Sequence, residues 1–269
     1  MTIPQEVLGS RRMIGSLARN DFKRKFAGSY LGIIWAFVQP VVTVFVYWFV
    51  FEKALHAGTQ GTKAGITVPY VLWLIAGLVP WFYFSDAVNA GTRALLDYSY
   101  LVKKVVFKIS ALPVVKVISS LFVHLFFIAF TLVMYAVYHF RPTLYMLQIL
   151  YYSVAMILIV TAIVYWTSSI VIFFRDLQQI VNIVLQIGVW FTPIMWNIDA
   201  MQLPGWVMTV LKLNPMFYIV MGYRDALIND VWFWQRPGLT AYFWILTVLL
   251  MIGGMRTFRK LQPHFADVM

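Results

Sequence analysis

The chain has 269 residues, of which 62% are apolar, 18% aromatic and 12% charged, and it carries a net charge of +11. Soluble domains average about 45–50% apolar and about 25% charged residues, so this balance excludes a soluble globule and points to an integral membrane protein. Cysteine is absent, which removes disulfides, thiolate metal sites and cysteine nucleophiles together.

The first 29 residues are mixed and basic, without a compact apolar core and cleavage site, so no cleavable signal peptide is expected. Within them, residues 10–29, SRRMIGSLARNDFKRKFAGS, place Ile14, Leu17, Ala18, Phe22 and Phe26 on one face of a helix. A basic amphipathic helix before a first span is expected in the inner interface, its apolar face in the acyl boundary. Its cations either collect an anionic lipid-linked substrate, or set topology and bind bulk anionic lipid.

Long runs poor in charge then follow one another: 30–51, 66–85, 109–140 (interrupted by Lys116 and His124), 142–174, 177–198 and 237–255. A crossing helix needs about 20 residues. These runs predict six spans at 30–51, 66–88, 109–140, 142–174, 177–198 and 237–258. Between the second and third lies a cytoplasmic segment, 92–105, in which Leu95, Leu96, Tyr100, Leu101 and Val105 recur at helical spacing beside Arg93, Asp97, Lys103 and Lys104. It reads either as a short helix that plugs a groove on another protein, or as a charged loop fixing orientation. Asp176, in the turn before the fifth span, is placed to cap the helix that follows.

Residues 199–229 hold two apolar pieces, 201–211 and 213–223, split by Asn214-Pro215. Neither is long enough to cross. One reading is a re-entrant hairpin dipping into the outer leaflet, with Arg224 and Asp225 near the outer surface, paired with neighbours or solvated. The other is a hairpin lying flat on the surface with Arg224 snorkelling.

With six spans both termini share a side. That side carries Arg11, Arg12, Arg19, Lys23, Arg24, Lys25, Arg93, Lys103, Lys104, Lys108, Arg175, Arg256, Arg259 and Lys260, against Lys53, Lys63, Arg141, Lys212, Arg224 and Arg236 opposite. The positive-inside rule places both termini in the cytoplasm. The expectation is one all-α integral membrane domain over residues 1–269, with six transmembrane helices, an N-terminal amphipathic interface helix and a re-entrant helical hairpin between spans five and six.

Chemistry is scarce. No P-loop, H-E-x-x-H or G-x-S-x-G occurs, and the four histidines share no metal-ligand spacing. No catalytic residue, metal site or bound cofactor is expected, nor nucleic acid as a partner. Lys116 is read as snorkelling to the inner interface and His124 as a hydrogen-bonded packing residue. Aromatic side chains abound: Trp35, Phe37, Tyr47, Trp81, Tyr83, Trp190, Phe191 and Trp196 stand on spans one, two and five. Such rings belong either to interfacial belts or to a pore wall on which sugar faces stack and slide.

Five motifs in order, YLGIIWAFVQPVV, YLVKKVVFKISALPVV, FRDLQQIV, WFTPIMWN and LNPMFYIVMGYRDAL, resemble the membrane subunit of polysaccharide-exporting ABC transporters over nearly the whole chain. Teichoic-acid and O-antigen permeases are the most similar within that class. The chain departs at Phe107-Lys108, where the family often has Phe-Pro. The resemblance implies a homodimer in a bacterial cytoplasmic membrane, with two copies of a P-loop ATPase subunit that bind ATP and Mg. It makes 92–105 a coupling helix, with Arg93, Asp97, Tyr98, Tyr100, Leu101, Lys103 and Lys104 meeting the ATPase. The cargo would be a polymer on an undecaprenyl pyrophosphate carrier, met first by Arg19, Lys23, Arg24 and Lys25. It would pass between protomers along spans one, two and five and leave by an outer gate at Arg224 and Asp225. The rivals are an ATP-independent carrier or channel, for which no coupling carboxylate or internal repeat is visible, and a membrane-embedded glycosyl or phosphoryl transferase, for which paired surface acids are lacking.

Overall fold

The structure, a computed structural model, describes residues 3–25, 28, 30–56, 58, 62–63, 66–102, 108–198 and 201–268. Its helices are α1 (Ile3–Gly9), α2 (Arg11–Lys25), α3 (Trp35–Trp48), α4 (Tyr70–Thr92), α5 (Ala94–Asp97), α6 (Ser99–Val102), α7 (Ala111–Val137), α8 (Gln148–Val171), α9 (Leu177–Phe191), α10 (Gly205–Leu213), α11 (Pro215–Arg224), α12 (Pro237–Leu261) and α13 (Phe265–Val268). A two-rung antiparallel pairing, Thr62 with Thr67 and Lys63 with Ile66, is the sole sheet among the described residues.

Among the described residues five helical stretches are long and apolar enough to cross a membrane: Gly32–Ala54, Tyr70–Thr92, Ala111–Val137, Leu144–Val171 and Pro237–Val268. The fifth span expected over 177–198 is shorter. Its helix, α9, has 15 residues, about 22 Å at roughly 1.5 Å per residue against a hydrocarbon core of about 30 Å. It stops because Pro193 cannot continue it and forces Thr192 into the extended region (φ −97, ψ 129). Asp176 occupies the N-cap position of α9 without a side-chain cap bond.

The bundle forms around α4, which is buried on nearly every face against α7, α8 and α11. Helices approach closely where a side chain is missing. Gly222 of α11 lies on the Tyr152 ring, where a Cβ would collide. By contrast α3 is largely exposed, with Val42, Phe45 and Val46 uncovered.

A second apolar cluster, at the end of the bundle that holds both terminal helices, joins Ile14 and Ala18 of α2 to Leu95, Tyr98, Val102, Leu112, Val115, Phe258 and Phe265. The apolar face of α2 therefore packs on protein, chiefly α7, rather than in the acyl boundary; Phe26 lies outside the described residues. The helix expected over 92–105 is two single turns, α5 and α6, hinged at Tyr98. Lys103, Lys104, Val105 and Phe107 lie outside the described residues.

The two halves of the 199–229 segment part company. Asn214 caps α11, its side chain accepting from the Met216 amide at 3.0 Å, with Pro215 in the first turn. Helix α10 exposes Trp206, Val210 and Leu213. Helix α11 is buried from Met216 to Arg224, as is the turn from Asp225 to Ile228. The second half therefore does not lie flat on a surface, and Arg224 and Asp225 are buried and paired with neighbours rather than solvated.

Candidate functional site

A groove of about 930 Å³ runs between α3, α4, α7 and α9. Its walls are set by helical periodicity. Helix α3 contributes Gln39, Thr43 and Tyr47, spaced four apart, and α9 contributes Gln179, Asn182 and Gln186, spaced three and four apart. Each set forms one stripe. Between them α4 supplies Trp81, Tyr83, Asp86 and Asn89. Because α3 leans on the bundle so lightly, one side of the groove is open.

Four of the eight expected aromatics meet here: Trp35, Tyr47, Trp81 and Tyr83. The others go elsewhere. Phe37 turns toward α7 and packs on Phe126, ring centroids 4.2 Å apart. Trp190 is exposed, and its carbonyl accepts the Trp196 indole N–H at 3.0 Å. Phe191 lines a separate apolar cleft of about 530 Å³ that shares the Trp81 wall. His124 borders the groove with Nε2 3.0 Å from the Tyr223 hydroxyl, which lies 2.7 Å from Ser153 Oγ.

At the end of the bundle that holds the terminal helices a smaller cavity of about 380 Å³ opens between α2, α4 and α7. Lys116 Nζ donates to Asp21 at 2.7 Å and lies 3.0 Å from Asp97, tying α2 to α5 through α7. The Tyr98 hydroxyl donates to Asp21 at 2.7 Å, and Lys116 sits 5.1 Å from its ring centre. Burial, and then the bond to Asp21, push the Tyr98 phenol far above its ordinary range, so it stays a neutral donor. Arg93 lies 3.7 Å from Asp97. Lys25, closing α2, pairs with Asp86 of α4, whose other oxygen accepts from Ser120 at 2.6 Å. Of the four cations expected to meet a pyrophosphate, Arg24 and Lys25 line this cavity, while Arg19 and Lys23 are exposed on α2 beyond it. Tyr100 is exposed, and Leu101 packs partly on the second apolar cluster.

At the other end the break after α9 is clamped from outside itself. The Arg224 guanidinium donates to the carbonyls of Pro193 and Ile194 and lies 3.4 Å over the Trp73 ring. Tyr70 donates to the Met195 carbonyl at 2.7 Å, and the Asn214 amide donates to Thr192 at 2.8 Å. Asp225 accepts from Arg236 Nη2 at 3.0 Å and from Asn229 at 2.8 Å.

Gln39, Thr43, Gln179, Asn182 and Gln186 of the stripes, and Asp21 and Lys116 of the bridge, were not among the expected site residues, whereas Tyr47 and Asp97 were. The signal for the stripes was in the letters, as polar residues recurring three and four apart in apolar runs. The bridge had no local signal, since its members come from three separated segments.

The family model of the ABC-2 type transporter matches residues 12–228. Among curated proteins, the chain is 24% identical to the O-antigen export system permease protein RfbA of Klebsiella pneumoniae, over 94% of this chain and 93% of that one. It is 26% identical to the O-antigen export system permease protein RfbA of Myxococcus xanthus, over 98% and 97%.

Proposed function

The chain belongs to the ABC-2 type transporter family, and from that premise we propose that it is the membrane permease of an exporter that moves a lipid-linked polysaccharide outward, of the O-antigen class that its relatives' names carry. The chain is the non-catalytic subunit. ATP and Mg bind a separate P-loop subunit, consistent with the missing P-loop, and 92–105 is the segment that meets it. Six crossings, with α9 the shortest, leave both termini in the cytoplasm. The segment 199–229 forms a re-entrant unit on the outer side, with Arg224 and Asp225 holding the outer gate.

One observation carries this reading: the groove lined by an amide stripe on α9, a polar stripe of Gln39, Thr43 and Tyr47 on α3, and aromatic walls. Amides exchange hydrogen bonds with sugar hydroxyls, and rings stack on pyranose faces. Many weak sites in series let a polymer enter and still leave. The open side of the groove is closed by a second copy of the chain, which presents its own α3 and α9. The undecaprenyl diphosphate head docks at the inner end, where Arg24 and Lys25 line the smaller cavity and Arg19 and Lys23 stand near its approach. O-antigen stands ahead of teichoic acid as cargo because the relatives are named for it.

The test is to purify the chain from its native membrane and assay the complex. A co-purifying P-loop subunit in equal amount, with ATP-dependent export of lipid-linked polysaccharide from inverted vesicles, is the expected outcome. Recovery of the chain alone and without ATPase activity sinks the reading.

A further inference from the structure

We propose that Asp86 is a stand-in for substrate phosphate. Its ion pair with Lys25 latches the seam between the inner cavity and the main groove, and a lipid-borne diphosphate opens that seam by replacing the carboxylate on Lys25. The inference rests on the reading above, in which the cargo arrives on a diphosphate carrier.

Position comes first. Lys25, Asp86, Ser120 and Val123 line both cavities, so the ion pair stands on the partition between them. Lys25 is the last residue of α2 and Asp86 lies in the third quarter of α4, so the pair ties the N-terminal helix to the centre of the bundle. The hydroxyl of Ser120 holds the carboxylate from α7, at 2.6 Å. When Lys25 changes partner, Asp86 therefore keeps a donor and stays in place.

Strength comes second. The two ion pairs of the inner cavity differ in kind. Lys116 is 11% exposed, with a carboxylate on each side at 2.7 and 3.0 Å, and such a buried cation does not exchange partners cheaply. The Lys25 and Asp86 side chains are 42% and 38% exposed, and an exposed pair of this kind shifts an equilibrium by at most about fivefold. A diphosphate brings more negative charge and more acceptor oxygens than one carboxylate, and its charge-assisted bonds to a cation are correspondingly stronger. The exchange thus runs toward phosphate at Lys25, while the Lys116 bridge keeps α2 attached. Asp86 also explains how a cationic inner mouth stays shut between cargoes: the seal is made by an anion weak enough to be displaced.

The experiment uses the full chain in complex with its ATPase subunit, in nanodiscs. Binding is titrated with farnesyl diphosphate and, separately, with inorganic pyrophosphate. Asp86→Asn keeps the side-chain shape and an acceptor for Ser120, and is expected to tighten farnesyl diphosphate binding about fivefold. Lys25→Gln is expected to weaken it by a similar factor, and in that background Asp86→Asn is expected to change nothing. A carboxylate that merely supports the fold produces no such coupling. If Asp86→Asn does not assemble with the ATPase, Asp86→Ser, which also removes the competing charge and keeps an acceptor near Ser120, carries the same direction of change. An unaltered or weaker affinity in Asp86→Asn, with wild-type binding intact, overturns the latch and leaves the exporter standing. Absence of farnesyl diphosphate binding in a wild-type complex that still hydrolyses ATP overturns the carrier reading and the latch with it. Pyrophosphate binding as tightly as farnesyl diphosphate overturns the lipid-borne source.

Discussion

Lys116 and Arg224 show two ways of holding a cation inside this bundle. Lys116 faces Asp21 and Asp97 across three helices with its side chain 11% exposed. Removing one member of such a cluster strands the others, so Lys116→Met is expected to cost about 3 kcal/mol, read as a lowered thermal transition in detergent, with Lys116→Arg retaining most of the stability. Arg224 is held instead by two carbonyls and the face of Trp73. That arrangement uses a flat, forked donor, which an ammonium does not provide. Arg224→Lys is expected to destabilise by about 1–3 kcal/mol and to loosen the turn after α9, seen as faster amide exchange over 192–195. A stability loss under about 0.5 kcal/mol, the range of neutral surface changes, refutes that account. Neither environment was readable at its own position. The letters marked Arg224 as an ionisable residue after a short apolar piece, but its partners lie 30 and 31 residues away in the chain.

Among the elements, α9 carries most of the functional argument. Its 15 residues present Gln179, Asn182 and Gln186 to the groove and leave Ile180, Val184 and Ile187 on other exposed faces. Gln186 is exposed and Asn182 half-buried, bonded among the described residues only to Gln179 within the stripe. Polar positions outside the core contribute little to stability, usually within about 0.5 kcal/mol. Asn182→Leu with Gln186→Leu is therefore expected to leave the melting temperature nearly unchanged while cutting export in the vesicle assay severalfold. Unimpaired export in that double variant removes the stripe from the pathway. The period of the stripe was visible in LQQIVNIVLQ, whereas its partner stripe on α3 needed the fold to bring the two opposite each other. The same limit applies to α2. Its amphipathic face was legible, but lipid and protein present equally apolar surfaces, so periodicity alone does not distinguish them.

At the scale of the whole molecule, the proposed exporter makes the groove half of a conduit. The absence of cysteine makes its completion testable without background. Single cysteines at exposed α3 and α9 positions, such as Phe45 and Ile183, are expected to give disulfide-linked dimers under mild oxidation at one or more sites. Cysteines at Ile245 and Leu249, exposed on α12, are expected to give none, since a disulfide requires Cα atoms within about 7 Å. Linkage through α12 rather than α3 or α9 refutes the proposed dimer.

The letters alone determined that this is a multi-pass, all-helical membrane protein and where its main helices run. Those properties are local: a run of about 20 apolar residues satisfies its own backbone wherever it sits, and a proline ends or bends the segment it belongs to. The order of five motifs also pointed to the transporter class. Tertiary structure alone decided that α2 folds onto α7, that α11 is a core helix while α10 is not, and that Lys25 meets Asp86. These pairings join side chains tens of residues apart, and their energies depend on burial that no local window contains.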